Sequence, residues 1–251
     1  MKTWRRNVWV FASMMAGVLI APQLVCGRDG PGFFDGDRTL QSELASGQAR
    51  WVTSQLALRD FKTGSDLFDG EWFFGTYMMS ALGFGQIALQ HPALTRAHLP
   101  LIEACLDRLL SEEVRSFDSE AWQQGALESL PSGRGHAAYL GYLNLALGIH
   151  RELAPKSRFA ALNDSITVAL AQRIEASASG LIETYPGQAF PVDNMAVVAA
   201  IALHARATGA KPPSLLAGWI RQVRARYIAR DTGLLVQAAA HDTGLAYDKA
   251  R

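Results

Sequence analysis

The sequence predicts an all-α protein built as an α/α toroid, with helical hairpins in two concentric layers. Three observations lead there. From residue 38 onward the apolar residues recur at helical spacing; the helices come in two alternating kinds; and the alternation repeats about every sixty residues. With 251 residues, 49% of them hydrophobic and 19% charged, the chain has ample material for a large core. The net charge of +1 points to no nucleic-acid partner, and phosphate-loop, dinucleotide and zinc spacings are missing, so neither cofactor nor metal is expected. Two cysteines cannot form a disulfide framework.

The first 26 residues read as a signal peptide or N-terminal membrane anchor. MKTWRR supplies positive charge, and the 14 apolar residues of VWVFASMMAGVLIA (8–21) match a signal core. They fall short of the roughly 20 that span a bilayer. The protein is therefore expected to be exported, whether periplasmic, secreted or anchored. Cys26 follows QLV, which is a poor lipidation site because Leu24 and Val25 replace the usual small residues. GRDGPGFFDGD (27–37) reads as a linker, and 38–251 as the toroid domain.

Segments 38–57, 96–110, 158–177 and 214–230 carry one apolar stripe each and read as outer helices. Segments 71–89, 136–149 and 194–205 are apolar on every side and must be enclosed, so they read as inner helices. Gly75, Gly83, Gly85, Gly141 and Gly148 cost helix propensity and are expected where helices approach closely. RIEASASGLIET (173–184) aligns with RYIARDTGLLVQ (226–237), Gly180 over Gly233, as two outer helices ending in glycine. A closed ring of six hairpins needs roughly 350 residues by repeat counting. Three hairpins and one outer helix are present, so the toroid is expected to be incomplete at the C-terminus, with a short open solenoid as the alternative.

Loops running from outer to inner helices (59–70, 114–135, 179–193 and 231–247) should emerge at one end. The most informative is ETYPGQAFPVDN (183–194). Pro186 and Pro191 restrict its backbone, so that it could hold Glu183, Tyr185 and Asp193 over an opening faced by His136, Tyr139 and Tyr142, with Tyr77 and Asn194 nearby. On that reading Glu183 and Tyr142 form the proton-handling pair, with Asp193 the third catalytic group. Tyr77, His136, Tyr139, Tyr185 and Asn194 contact a small-molecule substrate. Each has a plainer role available: Asp193 as the cap of its helix, Glu183 as a partner of a surface arginine, His136 as a cap, and the tyrosines as core. Cys105 reads as packing and His204 as a helix-end residue. Trp72 and Trp122 belong near the rim, and Trp51 and Trp219 in the core.

GHAAYLGYLNLALG followed by ETYPGQAFPVDN resembles the bacterial linalool dehydratase/isomerase-like proteins, which are (α/α)6 barrels; the resemblance covers roughly residues 66 to 248. It rests on the tyrosine-glycine pattern of one inner helix and the Pro-x-x-x-Phe-x-x-x-Asn loop before the next. It implies an apolar cavity in which acid and base groups add or remove water on a terpene-like alcohol. The family's two loop cysteines fall at Thr184 and Asp193, and its histidine at Tyr142, so its own acid–base set is replaced here. The resulting Tyr/Glu/Asp set is also compatible with a carbohydrate-active toroid, which would show exposed tryptophans along a cleft. A non-catalytic envelope protein is the third reading, and a homo-oligomer remains open.

Overall fold

The computed structural model describes residues 2–25, 29–133 and 135–247. The chain is mostly helical and divides into two compact units, Met1–Gly47 and Gln48–Arg251. The boundary falls inside a helix rather than at residue 38.

In the first unit, α1 (Lys2–Val25) carries exposed Trp4, Trp9, Phe11, Met14 and Val18. Among the described residues no helix is long and apolar enough to cross a membrane. Cys26 lies outside the described residues. The expected linker is partly helical: α2 (Gly30–Asp35) ends at Gly36 in the left-handed conformation, φ 86°. Asp37 then accepts a hydrogen bond from Leu40 N at 2.9 Å and starts α3 (Arg38–Thr53).

The second unit holds α4 (Asp66–Gln90), α5 (Thr95–Leu109), α6 (Glu112–Trp122), α7 (Ala137–Leu153), α8 (Ala160–Ala176), α9 (Pro191–Thr208) and α10 (Leu215–Arg226). The three apolar segments lie side by side in the order α4, α7, α9; α5 packs on α4 and α7, and α8 on α7 and α9. Every residue of α7 is buried or half-buried, whereas α10 buries only Trp219 and Val223. Enclosure is complete only for α7: α4 leaves Trp72 and Met79 exposed and α9 leaves Val192 and Met195 exposed, so the expected enclosure of those two helices is not met.

Two elements depart from the expectation. Residues 114–122, assigned to the loop 114–135, belong to α6 (Glu112–Trp122); Ser111 caps it, Glu112 and Glu113 occupy its first turn, and Val114, Phe117 and Trp122 are buried. The loops 179–193 and 231–247 meet in a two-stranded antiparallel pairing, β1 (Gln188–Ala189) with β2 (Ala239–Ala240). The glycines also separate into two groups. A β-carbon at Gly85 would stand 2.1 Å from Ile149 Cγ2, at Gly141 2.9 Å from Val197 Cγ2, and at Gly148 3.0 Å from Leu203 Cδ2, as close packing requires. At Gly75 and Gly83 it would meet nothing within 4 Å, so helix approach does not explain those two.

Candidate functional site

The loop before α9 is held by its backbone at both ends. Gly180 adopts φ 71°, and α10 grips the chain there: Trp219 Nε1 donates to Gly180 O at 2.7 Å, and Tyr227 donates to Ser179 O at 2.8 Å. Asn194 accepts from Ile182 N at 2.7 Å and donates to Ile182 O at 2.9 Å and Phe190 O at 3.0 Å. Trp122 Nε1 donates to Thr184 O at 3.0 Å, and Ala137 N to Glu183 O at 2.9 Å. Between these anchors Thr184 and Gln188 close a turn over Pro186 and Gly187. The prolines are a minor part of the stiffness; buried hydrogen bonds to α6, α7, α9 and α10 fix the segment.

That loop, Phe117 of α6 and the N-terminal halves of α4, α7 and α9 line a cavity of about 300 Å3. Its floor is apolar, with Phe74, Met78, Phe117 and Phe190, and its polar groups are Glu71, Tyr142, Thr184, Tyr185 and Asp193. Thr184 Oγ1 donates to Asp193 Oδ2 at 2.8 Å, and the Tyr142 hydroxyl stands beside this carboxyl as a further polar donor. The Tyr185 hydroxyl donates to Glu71 Oε1. Burial, with the nearby Glu71 charge adding to it, outweighs the two donors and raises the Asp193 pKa from 3.8 to about 6. Burial likewise pushes the Tyr142 hydroxyl up to about 12, and burial with the Glu71 contact raises that of Tyr185. The three positions singled out by the family resemblance, Tyr142, Thr184 and Asp193, thus share one cavity.

The structure does not bring Glu183 to Tyr142. Glu183 lines a different cavity, of about 360 Å3, with Arg173, Gln172 and His241. There its carboxylate accepts from Gly187 N at 2.7 Å and lies 3.6 Å from His241 Nδ1. Arg173 Nη1 and Nη2 donate to Gly135 O and Ser129 O at 2.8 and 2.7 Å, and burial lowers its pKa to about 10. These groups stitch loops together, whereas the Asp193 cavity holds carboxyls bonded to hydroxyls and open to a ligand.

Other expected contacts are internal. Asp193 is no cap: α9 begins at Pro191, and Asp193 stands in its first turn facing Thr184. Asn194 spends its side chain on the loop backbone and is fully buried. Tyr139 is core, donating to Leu109 O at 2.9 Å, and Tyr77 is buried beneath the Arg108 guanidinium, 5.4 Å from its ring centre. His136, with a left-handed φ of 58°, is buried, bonded through Nδ1 to Asp118 at 2.7 Å and stacked on Trp122 at 4.6 Å. Burial raises the pKa of Asp118 while His136 opposes the rise. Trp122 is buried instead of standing at the rim, and Trp51 is 62% exposed instead of lying in the core.

Sequence reasoning missed Glu71 as a site residue. A signal existed: it is the one charged residue of 71–89, at the head of an apolar helix. Among the described residues no three His, Cys, Asp or Glu side chains converge as a metal site requires. No family model and no curated protein matches this chain.

Proposed function

We propose that the protein is a hydro-lyase or isomerase acting on a small, mostly apolar alcohol, and that its three apolar helices are an arc of an α/α toroid. One observation carries this reading: Asp193, a half-buried carboxyl whose pKa is raised to about 6, lines an aromatic-floored cavity together with the hydrogen-bonded Glu71–Tyr185 pair. A carboxyl poised there holds a proton at mildly acidic pH and releases it readily, as a general acid must. The resemblance to the linalool dehydratase/isomerase-like family adds support, because the positions it marks coincide with this cavity.

In the dehydration direction Asp193 protonates the alcohol oxygen, the carbon–oxygen bond breaks, and water leaves. Glu71 takes a proton from the adjacent carbon, and the electron pair of that bond forms the alkene. The proton returns from Glu71 to Asp193 through solvent, and the reverse sequence hydrates. Thr184 and Tyr142 orient the acid, and Tyr185 orients the base. Because the acid must be protonated, dehydration should decline as pH rises through about 6.

The test is turnover of a panel of allylic and tertiary alcohols, linalool included, read by headspace gas chromatography. Asp193→Asn should lose at least about a hundredfold in kcat, while Glu183→Gln stays within about twofold because it lines the other cavity. Unchanged turnover in Asp193→Asn sinks the proposal. A carbohydrate-active enzyme is the second reading, favoured by the exposure of Trp51 and Trp72 along one groove; binding of oligosaccharides instead of alcohols would select it. Export is part of either reading, supported by the basic N-terminus and the exposed apolar side chains of α1, and cell fractionation tests it.

A further inference from the structure

A second groove, of about 490 Å3, adjoins the acid cavity along α4. Its walls are mainly Trp51, Leu56, Phe61, Trp72 and Met79, and Trp72 and Met79 are 63% and 65% exposed. Gly75 lines both spaces. At about 100° per residue, Phe74, Met78 and Glu71 occupy one arc of the helix and Met79, Trp72 and Thr76 the next. Gly75 stands at their junction, where any side chain would rise as a partition. Packing does not demand a glycine there, since a β-carbon would meet nothing within 4 Å. A helix interior nevertheless disfavours glycine. What glycine provides at this position is an open passage.

We infer that the groove is a tail subsite: the substrate is an alcohol with an extended hydrocarbon chain, its hydroxyl at Asp193 and its chain running past Gly75 between Trp51 and Trp72. This deepens the dehydratase reading and rests on it. The occupant follows from chemistry and continuity. The groove and the acid cavity meet at Gly75, which lines both, so the groove is placed to take the rest of a molecule that reacts in the cavity. Leucine, phenylalanine and methionine beside the two indoles suit methylene groups, which gain from leaving water, better than the hydroxyls of a sugar.

The experiment is binding of butanol and decanol, and of their terminally brominated forms, to the full chain, followed by tryptophan fluorescence. Decanol should bind at least about thirtyfold tighter than butanol, a fraction of what burial of the added methylenes allows. Terminally brominated decanol should quench Trp51 and Trp72, with the quenching lost in the Trp51→Phe, Trp72→Phe double variant. Gly75→Leu should reduce the preference for the longer alcohol to within about threefold, and Gly75→Ala, which adds one methyl in open space, should reduce it in part. A preference undiminished in both variants overturns the tail subsite and leaves the dehydratase reading standing. Absence of alcohol binding at either length overturns both. Competition by a linear oligosaccharide, but not by decanol, would show the groove to be a sugar platform and overturn the inference.

Discussion

Replacing Asp193 with asparagine should stabilise the protein at neutral pH and leave it little changed at pH 4. The carboxyl has an ordinary pKa of 3.8 and one of about 6 in the fold. The folded state therefore holds the proton more tightly. Its contribution to stability is fully present below pH 3.8 and is lost as pH rises through 6. The difference corresponds to about 3 kcal/mol of stability surrendered by pH 8. Asparagine keeps the shape and removes the charge, and the effect of the donors on the carboxylate is already contained in the raised pKa. The net expectation is a gain of about 2–3 kcal/mol at pH 8 that shrinks to about 0.5 kcal/mol near pH 4. Urea unfolding of both proteins at several pH values measures it. A stability difference that stays constant from pH 4 to pH 8 would refute the assignment of a raised pKa to Asp193, and with it the general-acid role.

Three further outcomes follow from the packing. Gly75→Ala should raise stability by about 1 kcal/mol, since it improves helix propensity in open space, while Gly85→Ala, whose methyl would press on Ile149, should lower it by about 1–3 kcal/mol; thermal unfolding of the two distinguishes an open position from a packed one. Asn194→Ala should cost about 2–3 kcal/mol, because Ile182 N and O lose their partners, and limited proteolysis should then cut within 183–190. His136→Ala should cost about 3–5 kcal/mol at neutral pH by stranding the buried Asp118 carboxyl, with part of the loss recovered in the His136→Ala, Asp118→Asn double variant; an additive double variant would argue against the pair.

The helices themselves were legible in the sequence, and so was the burial of α7, because enclosure on all sides leaves a mark on every residue of a helix. In 136–149 and 194–205 no face is polar enough to meet water, and these segments became α7 and α9 within a few residues of the expected bounds. Gly180 and Gly233 both have φ near 70°, but neither ends its helix as expected: α8 closes at Ser177 and α10 at Tyr227, and the two glycines turn the loops beyond. α6 was hidden because it lies in a polar stretch whose few apolar residues show their common face only once Phe74 and Gly70 press on Phe117. Residue chemistry marked the loop 183–194, but not the side to which each carboxylate points. Glu183 and Asp193 look equivalent on paper. Glu183 turns away because Gly187 N claims its side chain, and Asp193 turns inward because the first turn of α9 carries it toward Thr184. Glu71, 114 residues before its partner Tyr185, could join the site only through the side-by-side packing of α4 and α7, and local periodicity carries no information about contacts over such a distance. Composition and period determined which segments are helical, since that depends on each segment's own pattern of polar and apolar residues; which helix faces stay exposed and which acids share a cavity were decided by tertiary packing, since a side chain's surroundings and its pKa depend on neighbours the local sequence does not contain.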